Sequence, residues 1–392
     1  MKPPRLRTQI VLFTVARMVL NMGTRMIYPF LSTFQRGLGV SFGDISAALT
    51  IRSLVGAFSP FLTMFADRKG RKPSMLAGLG MFIAGALLVI AFPSFFTFAT
   101  ALSLGFLGMF LYMSSMQAYL GDSIAFTKRG TALSVTEMGW SLSFILGMPL
   151  LGFLMDRYGW LASFPLLAGL GLVTFLLIAI YIPNSYSKTK TDPSQKSNIF
   201  SVLKSRSARA GLAVSFLMVM ANESINVVFG VWMEDSFQLK LAALGLASAL
   251  IGFAELGGES LGAGVIDRLG KKRSIYAGMA ILLITILFLP FFGKNLVGAL
   301  VGLFFFYLFF EFTFVGTLPL MTEILPDARA TLLGANVAAF SLGRMAGDLI
   351  SPVIYQWGFQ ANTILSAVLI LLAALALREM KIYQPDIPIL ST

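Results

Sequence analysis

Long, nearly uncharged apolar stretches recur along this chain, and they limit its fold more than any other feature. They lie over 9–34, 44–66, 73–93, 95–119, 131–154 and 159–182, and then over 209–233, 241–266, 274–292, 295–320, 331–355 and 360–378. A helix that crosses the hydrocarbon core of a bilayer needs about 20 mainly apolar residues. Backbone polar groups in lipid must be satisfied within the segment, so runs of this length read as helices. Six runs, a polar break and six more predict an all-α membrane protein of twelve transmembrane helices in two six-helix bundles. The boundaries expected are 1–182 for the first bundle, 183–207 for a cytoplasmic linker, and 208–392 for the second bundle with a short cytoplasmic tail.

Composition agrees. Hydrophobic residues make up 57% of the chain and charged residues 12%, against about 25% charged in a soluble domain. Too little polar material remains to face water, so the solvent is lipid. The absence of Cys and His removes disulfides, thiol nucleophiles, imidazole bases and the usual zinc or haem ligands. No metal, cofactor or catalytic residue is expected, and proton chemistry falls to Asp and Glu.

The formal charge of +12 follows topology rather than a nucleic-acid surface. With the N-terminus inside, only Arg36, Arg157, Lys240 and Lys294 fall in outer loops, while Arg17, Arg25, Arg52 and Arg344 lie within spans. All other Lys and Arg are then cytoplasmic, as the positive-inside rule requires. This predicts a multi-pass monomer in the cytoplasmic (inner) membrane, both termini cytoplasmic, with membrane lipids as neighbours and no nucleic acid. Lys2, Arg5 and Arg7 before the first run look like a signal peptide, but the run is too long and contains Arg17 and Arg25, so it reads as a retained helix.

An internal repeat appears at an offset of 200 residues: Asp67-Arg68-Lys69-Gly70-Arg71 after the second run and Asp267-Arg268-Leu269-Gly270-Lys271 after the eighth. A second echo joins Asp122 and Arg129 to Glu323 and Arg329. Glycine permits a tight turn between antiparallel helices, and basic residues hold the loop at an anionic leaflet. These D-R-x-G-R/K loops, with the six-plus-six plan, resemble the major facilitator superfamily over nearly the whole chain. In the fifth run Gly139, then Gly147-Met148-Pro149-Leu150-Leu151-Gly152, resembles the Gly/Pro motif of proton-coupled exporters. Tyr158-Gly159-Trp160 is similar to the entry to helix six in the drug/proton antiporter branch, although Leu104 to Tyr119 lacks that branch's Arg.

The resemblance implies two pseudo-symmetric bundles that rock about a central site. It also implies loops that latch through Asp67, Arg68, Gly70 and Arg71 and through Asp267, Arg268, Gly270 and Lys271. Asp67 would meet the eleventh helix and Asp267 the fifth. Helices one, four, seven and ten would line the cavity.

Charges inside the membrane mark the candidate site. Each costs about 2.5–3.5 kcal/mol at the bilayer centre, so each needs a partner, water or a function. The first half holds Arg17, Arg25 and Arg52 with Glu137; the second holds Arg344 with Glu223, Glu255, Glu259, Glu311 and Asp348. The halves should attract one another, and because acids outnumber bases some carboxyls should lack a cation. Asn21, Arg25 and Tyr28 share one face of the first helix, and Asn222, Glu223 and Asn226 crowd the seventh. Arg25, Glu223 and Glu311 lead the substrate and proton candidates, joined by Arg52, Glu137, Glu255 and Arg344. Bland readings stand beside these: Arg344 and Asp348 as a pair within one helix, and Arg17 snorkelling to the surface.

The function expected is secondary active transport of a small molecule by alternating access, drawing on the proton gradient and exporting an amphipathic compound, as in multidrug efflux. A uniporter or symporter for an anionic metabolite held by Arg25 and Arg52 is the alternative. A non-transporting receptor has little use for so many intramembrane charges. A lipid-modifying enzyme would lack its usual His, Cys or metal cluster, and no phosphate-binding loop supports ATP-driven pumping.

Overall fold

A computed structural model describes residues 6–59, 70–124, 126–183, 199–325 and 328–381, the side chains of Phe126, Thr127, Lys128, Ile199, Asp267 and Ala330 excepted. The described chain is helical throughout its spans. Ten spans are long and apolar enough to cross a bilayer on those grounds alone. The first and second of the twelve are shorter on apolar residues or on described length. The first, Leu6–Arg25 with Leu31–Leu38, carries Arg7, Arg17, Arg25 and Arg36; the second, Phe42–Ala57, is followed only to Ser59.

Three expected helices are interrupted. The first span breaks between Arg25 and Leu31, around Pro29, whose ring clashes with a helical carbonyl four residues back. The seventh divides into Arg206–Asn226 and Phe229–Phe237. The fifth divides into Phe126–Glu137, Gly139–Leu142, a π turn over Ser143–Gly147, and Met148–Tyr158, with Pro149 at the start of the last piece. The remaining spans are Arg71–Ala91, Phe95–Ser123, Ser163–Tyr181, Leu241–Leu269, Lys271–Phe292, Leu296–Ile324, Arg329–Tyr355 and Phe359–Arg378. Within the expected linker, Ile199–Lys204 forms a short helix rather than a loop.

The packing repeats with an offset of six spans. Span two packs on four and three on four and six, as eight packs on ten and nine on ten and twelve. Span one packs on four, five and six, as seven packs on ten, eleven and twelve. Across the halves, two meets eleven and eight meets five. The protein is thus a pair of pseudo-symmetric six-helix bundles.

The loop glycines have positive φ, +96° at Gly70 and +85° at Gly270, a region where a Cβ is strained. The two sequence echoes prove to be partners. Arg71 Nε lies 3.3 Å from Asp122 Oδ2, and Lys271 pairs with Glu323 at the equivalent place. Arg129 and Arg329 each donate to a carbonyl near the end of the preceding helix, Ile124 O at 2.8 Å and Thr322 O at 2.9 Å. Asp67 and Arg68 lie outside the described residues, as does the Asp267 side chain. Arg268 is exposed.

Candidate functional site

A cavity of about 240 Å³ lies between the bundles. Spans one, four, seven and ten contribute to its wall, with five, eight and eleven. Its side remote from the termini is closed. There Arg36 Nη1 meets Glu234 Oε1 at 2.6 Å, and Tyr355 donates to Asp235 Oδ2 at 3.0 Å. Gly230 lies so close to the carbonyls of Tyr28 and Pro29 that any Cβ would collide.

Every base inside the membrane is matched. Arg17 pairs with Glu137, so it does not snorkel. Arg25 Nη2 lies 2.5 Å from Glu255 Oε1 and Arg52 Nη2 3.7 Å from Asp348 Oδ2, both across the halves. Arg344 Nε lies 2.8 Å from Glu223 Oε1. The expected pair of Arg344 with Asp348 therefore does not form: both face neighbouring helices that offer a better partner. Glu223 is likewise not short of a cation. Of the six acids, Glu259 and Glu311 are left without one among the described residues; Glu259 accepts only a 3.5 Å bond from Ser141.

Arg25, 4% exposed, is held between aromatic rings. Its guanidinium carbon lies 3.8 Å from the Trp140 ring centre and 3.6 Å from that of Phe144. Its Nη1 donates to Trp140 O at 2.9 Å, in the short helical piece that precedes the π turn. Such stacking suits a planar cation in dry surroundings.

Arg52 is 1% exposed and lies behind the cavity wall. It donates to Thr24 O and to the Tyr28 hydroxyl, while Ser53 donates to Asp348 Oδ2 at 2.6 Å. Tyr28 in turn donates to Glu223 at 3.3 Å, and Asn226 joins Glu223 to Tyr307. A continuous polar chain thus crosses between the halves.

Of the residues singled out in the sequence, Arg25, Tyr28, Glu137, Asn222, Asn226, Glu255, Glu311 and Arg344 line the cavity. Asn21, Arg52 and Glu223 do not, being 0%, 1% and 0% exposed. Span eleven covers Glu223, for a Cβ on Gly347 would meet the Glu223 side chain.

The glycines of the fifth span divide their work. Gly139 and Gly147 let span one approach, while a Cβ on Gly152 would stand 2.6 Å from Leu241 O of span eight. Gly343 and Gly347 do the same for span eleven against seven, a counterpart the sequence reading missed. Trp140, Phe144 and Tyr307 were missed too, and no sequence signal marks them among so many apolar aromatics.

A twelve-helix membrane body around a charge-lined central cavity defines a membrane transporter. The chain belongs to the major facilitator superfamily, whose family model matches residues 13–220 and 211–386. It is 26% identical over 375 residues to the MFS-type transporter YceJ of Bacillus subtilis (strain 168), covering 93% of this chain and 94% of that one. It is 27% identical over 260 residues to the multidrug resistance protein MdtG of Serratia proteamaculans (strain 568), 63% of each. Among solved structures, a bacterial homologue of the human lysosomal transporter Spinster superposes with a TM-score of 0.78 at 13% identity, over 98% of this chain and 100% of that one. The protein is accordingly a multi-pass membrane transporter for small molecules, not an enzyme.

Proposed function

We propose that the chain exports an amphipathic compound across the cytoplasmic (inner) membrane in exchange for protons, with both termini in the cytoplasm. The observation that carries this reading is the charge balance. Four pairs account for Arg17, Arg25, Arg52 and Arg344, and Glu259 and Glu311 remain as carboxyls with no cation among the described residues, at the cavity. In a low-dielectric site, such a group is neutral when protonated and attracts a counter-charge when not, which is what exchange needs. The proton gradient then supplies the energy, and no cofactor is required.

The Lys and Arg bias supports the orientation, and with it the closed side of the cavity faces away from the cytoplasm. The name of the Serratia relative supports efflux. The reading of an anionic metabolite gains less support, because Arg25 is capped by aromatic rings and Glu255, and Arg52 lies behind the wall.

The test uses everted vesicles holding the full chain and an imposed pH gradient. Amphipathic dyes should be accumulated by the wild type, with proton efflux on addition of the dye. Accumulation that ignores the gradient would point to uniport, and co-movement of dye and proton in one direction to symport.

A further inference from the structure

At the aromatic level of the cavity, the buried side-chain atoms left without a partner among the described residues are acceptors. Glu311 is 9% exposed, lines the cavity and has neither hydrogen bond nor cation among the described residues. Asn222 is 8% exposed, lines the same space, and its Oδ1 has no partner. Glu255 gives Oε1 to Arg25 and leaves Oε2 unpartnered.

Most donors beside them are engaged: Arg25 serves Glu255 and Trp140 O, Tyr28 donates to Glu223, and Tyr307 donates to Asn226, while Arg344 gives its Nε to Glu223. The unpartnered nitrogens of Arg17 belong to a different level. They lie beside Glu137, eight residues or about 12 Å of helix rise toward the termini from Arg25.

Rings continue the wall around Glu311. Phe310 and Phe314 stack with centroids 5.6 Å apart, and Phe314 meets Phe340 at 5.0 Å. Gly258 brings span eight against this stretch, for a Cβ there would stand 2.9 Å from Glu311 Cβ. An anion placed here would meet unpaired carboxylate oxygen and the negative faces of the rings. A neutral hydroxyl would satisfy an acceptor but leave the carboxylate charge uncompensated. A protonated amine would supply charge-assisted hydrogen bonds and a cation for the ring faces at once.

We infer that the cavity binds a protonated organic amine with an apolar, ring-bearing body. Its ammonium donates to Glu311 and Asn222 Oδ1, and its body packs on Phe310, Phe314 and Phe340. The direction in which such an amine moves rests on the exporter reading above; its binding does not.

Three probes of one shape and different charge test this on the purified full chain: 4-phenylbutylammonium, 4-phenylbutanol and 4-phenylbutyrate. The ammonium should raise Tm and the carboxylate should not, with the alcohol between them. Glu311→Gln should weaken ammonium binding at least about tenfold, the weight of one charge-assisted hydrogen bond, and remove its advantage over the alcohol. In case that variant misfolds, the unaltered protein is treated with dicyclohexylcarbodiimide and its adducts are mapped by mass spectrometry. The ammonium, and not the carboxylate, should protect Glu311. Equal or greater stabilisation by phenylbutyrate overturns the inference. So does an undiminished ammonium shift in folded Glu311→Gln, or the absence of both a shift and protection by the ammonium. Ammonium binding without gradient-driven flux in vesicles would instead remove the exporter reading and leave this one. Gradient-driven flux of phenylbutyrate alone would do the reverse.

Discussion

The two seams that join the halves occupy equivalent places, yet different chemistry closes them. Between spans two and eleven the contact is a dry ion pair. Arg52 and Asp348 are 1% and 0% exposed, Ser53 donates to the same carboxylate, and Ser46 donates to the Asp348 carbonyl at 2.5 Å. Between spans five and eight the contact is steric. Gly152 faces Leu241 O and Gly245, a Cβ on Gly245 would stand 2.6 Å from Met148 O, and one on Gly252 would stand 2.8 Å from Ser141 O. Counted back from the repeated loop, the position that holds Arg52 in span two holds Gly252 in span eight. One backbone plan thus carries a charged seam on one side and a close-packed seam on the other, and the ion pair that span eight does make across the halves, Glu255 with Arg25 of span one, sits at the cavity.

The largest effect expected from breaking this contrast falls on the charged seam. Asp348→Ala leaves Arg52 buried and unpaired, at a cost of about 3–5 kcal/mol. A steep fall in Tm, measured in detergent, checks it, and the double change of Arg52 and Asp348 to Leu should recover most of the loss. Next comes the close-packed seam. Gly252→Val drives a methyl-bearing Cβ into a backbone carbonyl that cannot rotate away, for about 1–3 kcal/mol; cysteine cross-links between spans five and eight should then form more slowly. Glu255→Gln is milder, at about 1.5 kcal/mol, because Arg25 keeps Trp140, Phe144 and Trp140 O, and this loss should appear as a smaller Tm change than that of Asp348→Ala. Smallest is Arg36→Ala at the exposed pair with Glu234, worth less than about 1 kcal/mol and sensitive to salt.

Much of the architecture was legible in the chain because lipid allows so few solutions. Apolar runs of helical length give the spans, and the loop repeat gives their pairing. Where the helices break was less legible: the π turn in span five runs over Ser143–Gly147 just ahead of Pro149, and only the proline is visible in the sequence. The imbalance of acids over bases could be counted in advance, but not which acids stay unpaired. Arg344 and Asp348 look like a pair at one-turn spacing, and each instead finds a partner on another helix. That choice depends on the approach of span eleven to span two and to span seven, the latter permitted by Gly347, and no spacing rule reveals it. Arg52 and Glu223 were similarly recognised as buried charges, while their withdrawal from the cavity surface depends on tertiary packing.

The account turns on Glu259 and Glu311 as the carboxyls that exchange protons with substrate. Its most direct test is gradient-driven accumulation in everted vesicles by the chain carrying both Glu259→Gln and Glu311→Gln. The expected result is normal insertion and folding with no accumulation and no proton efflux. Accumulation and proton efflux at wild-type rates in that double variant would contradict it.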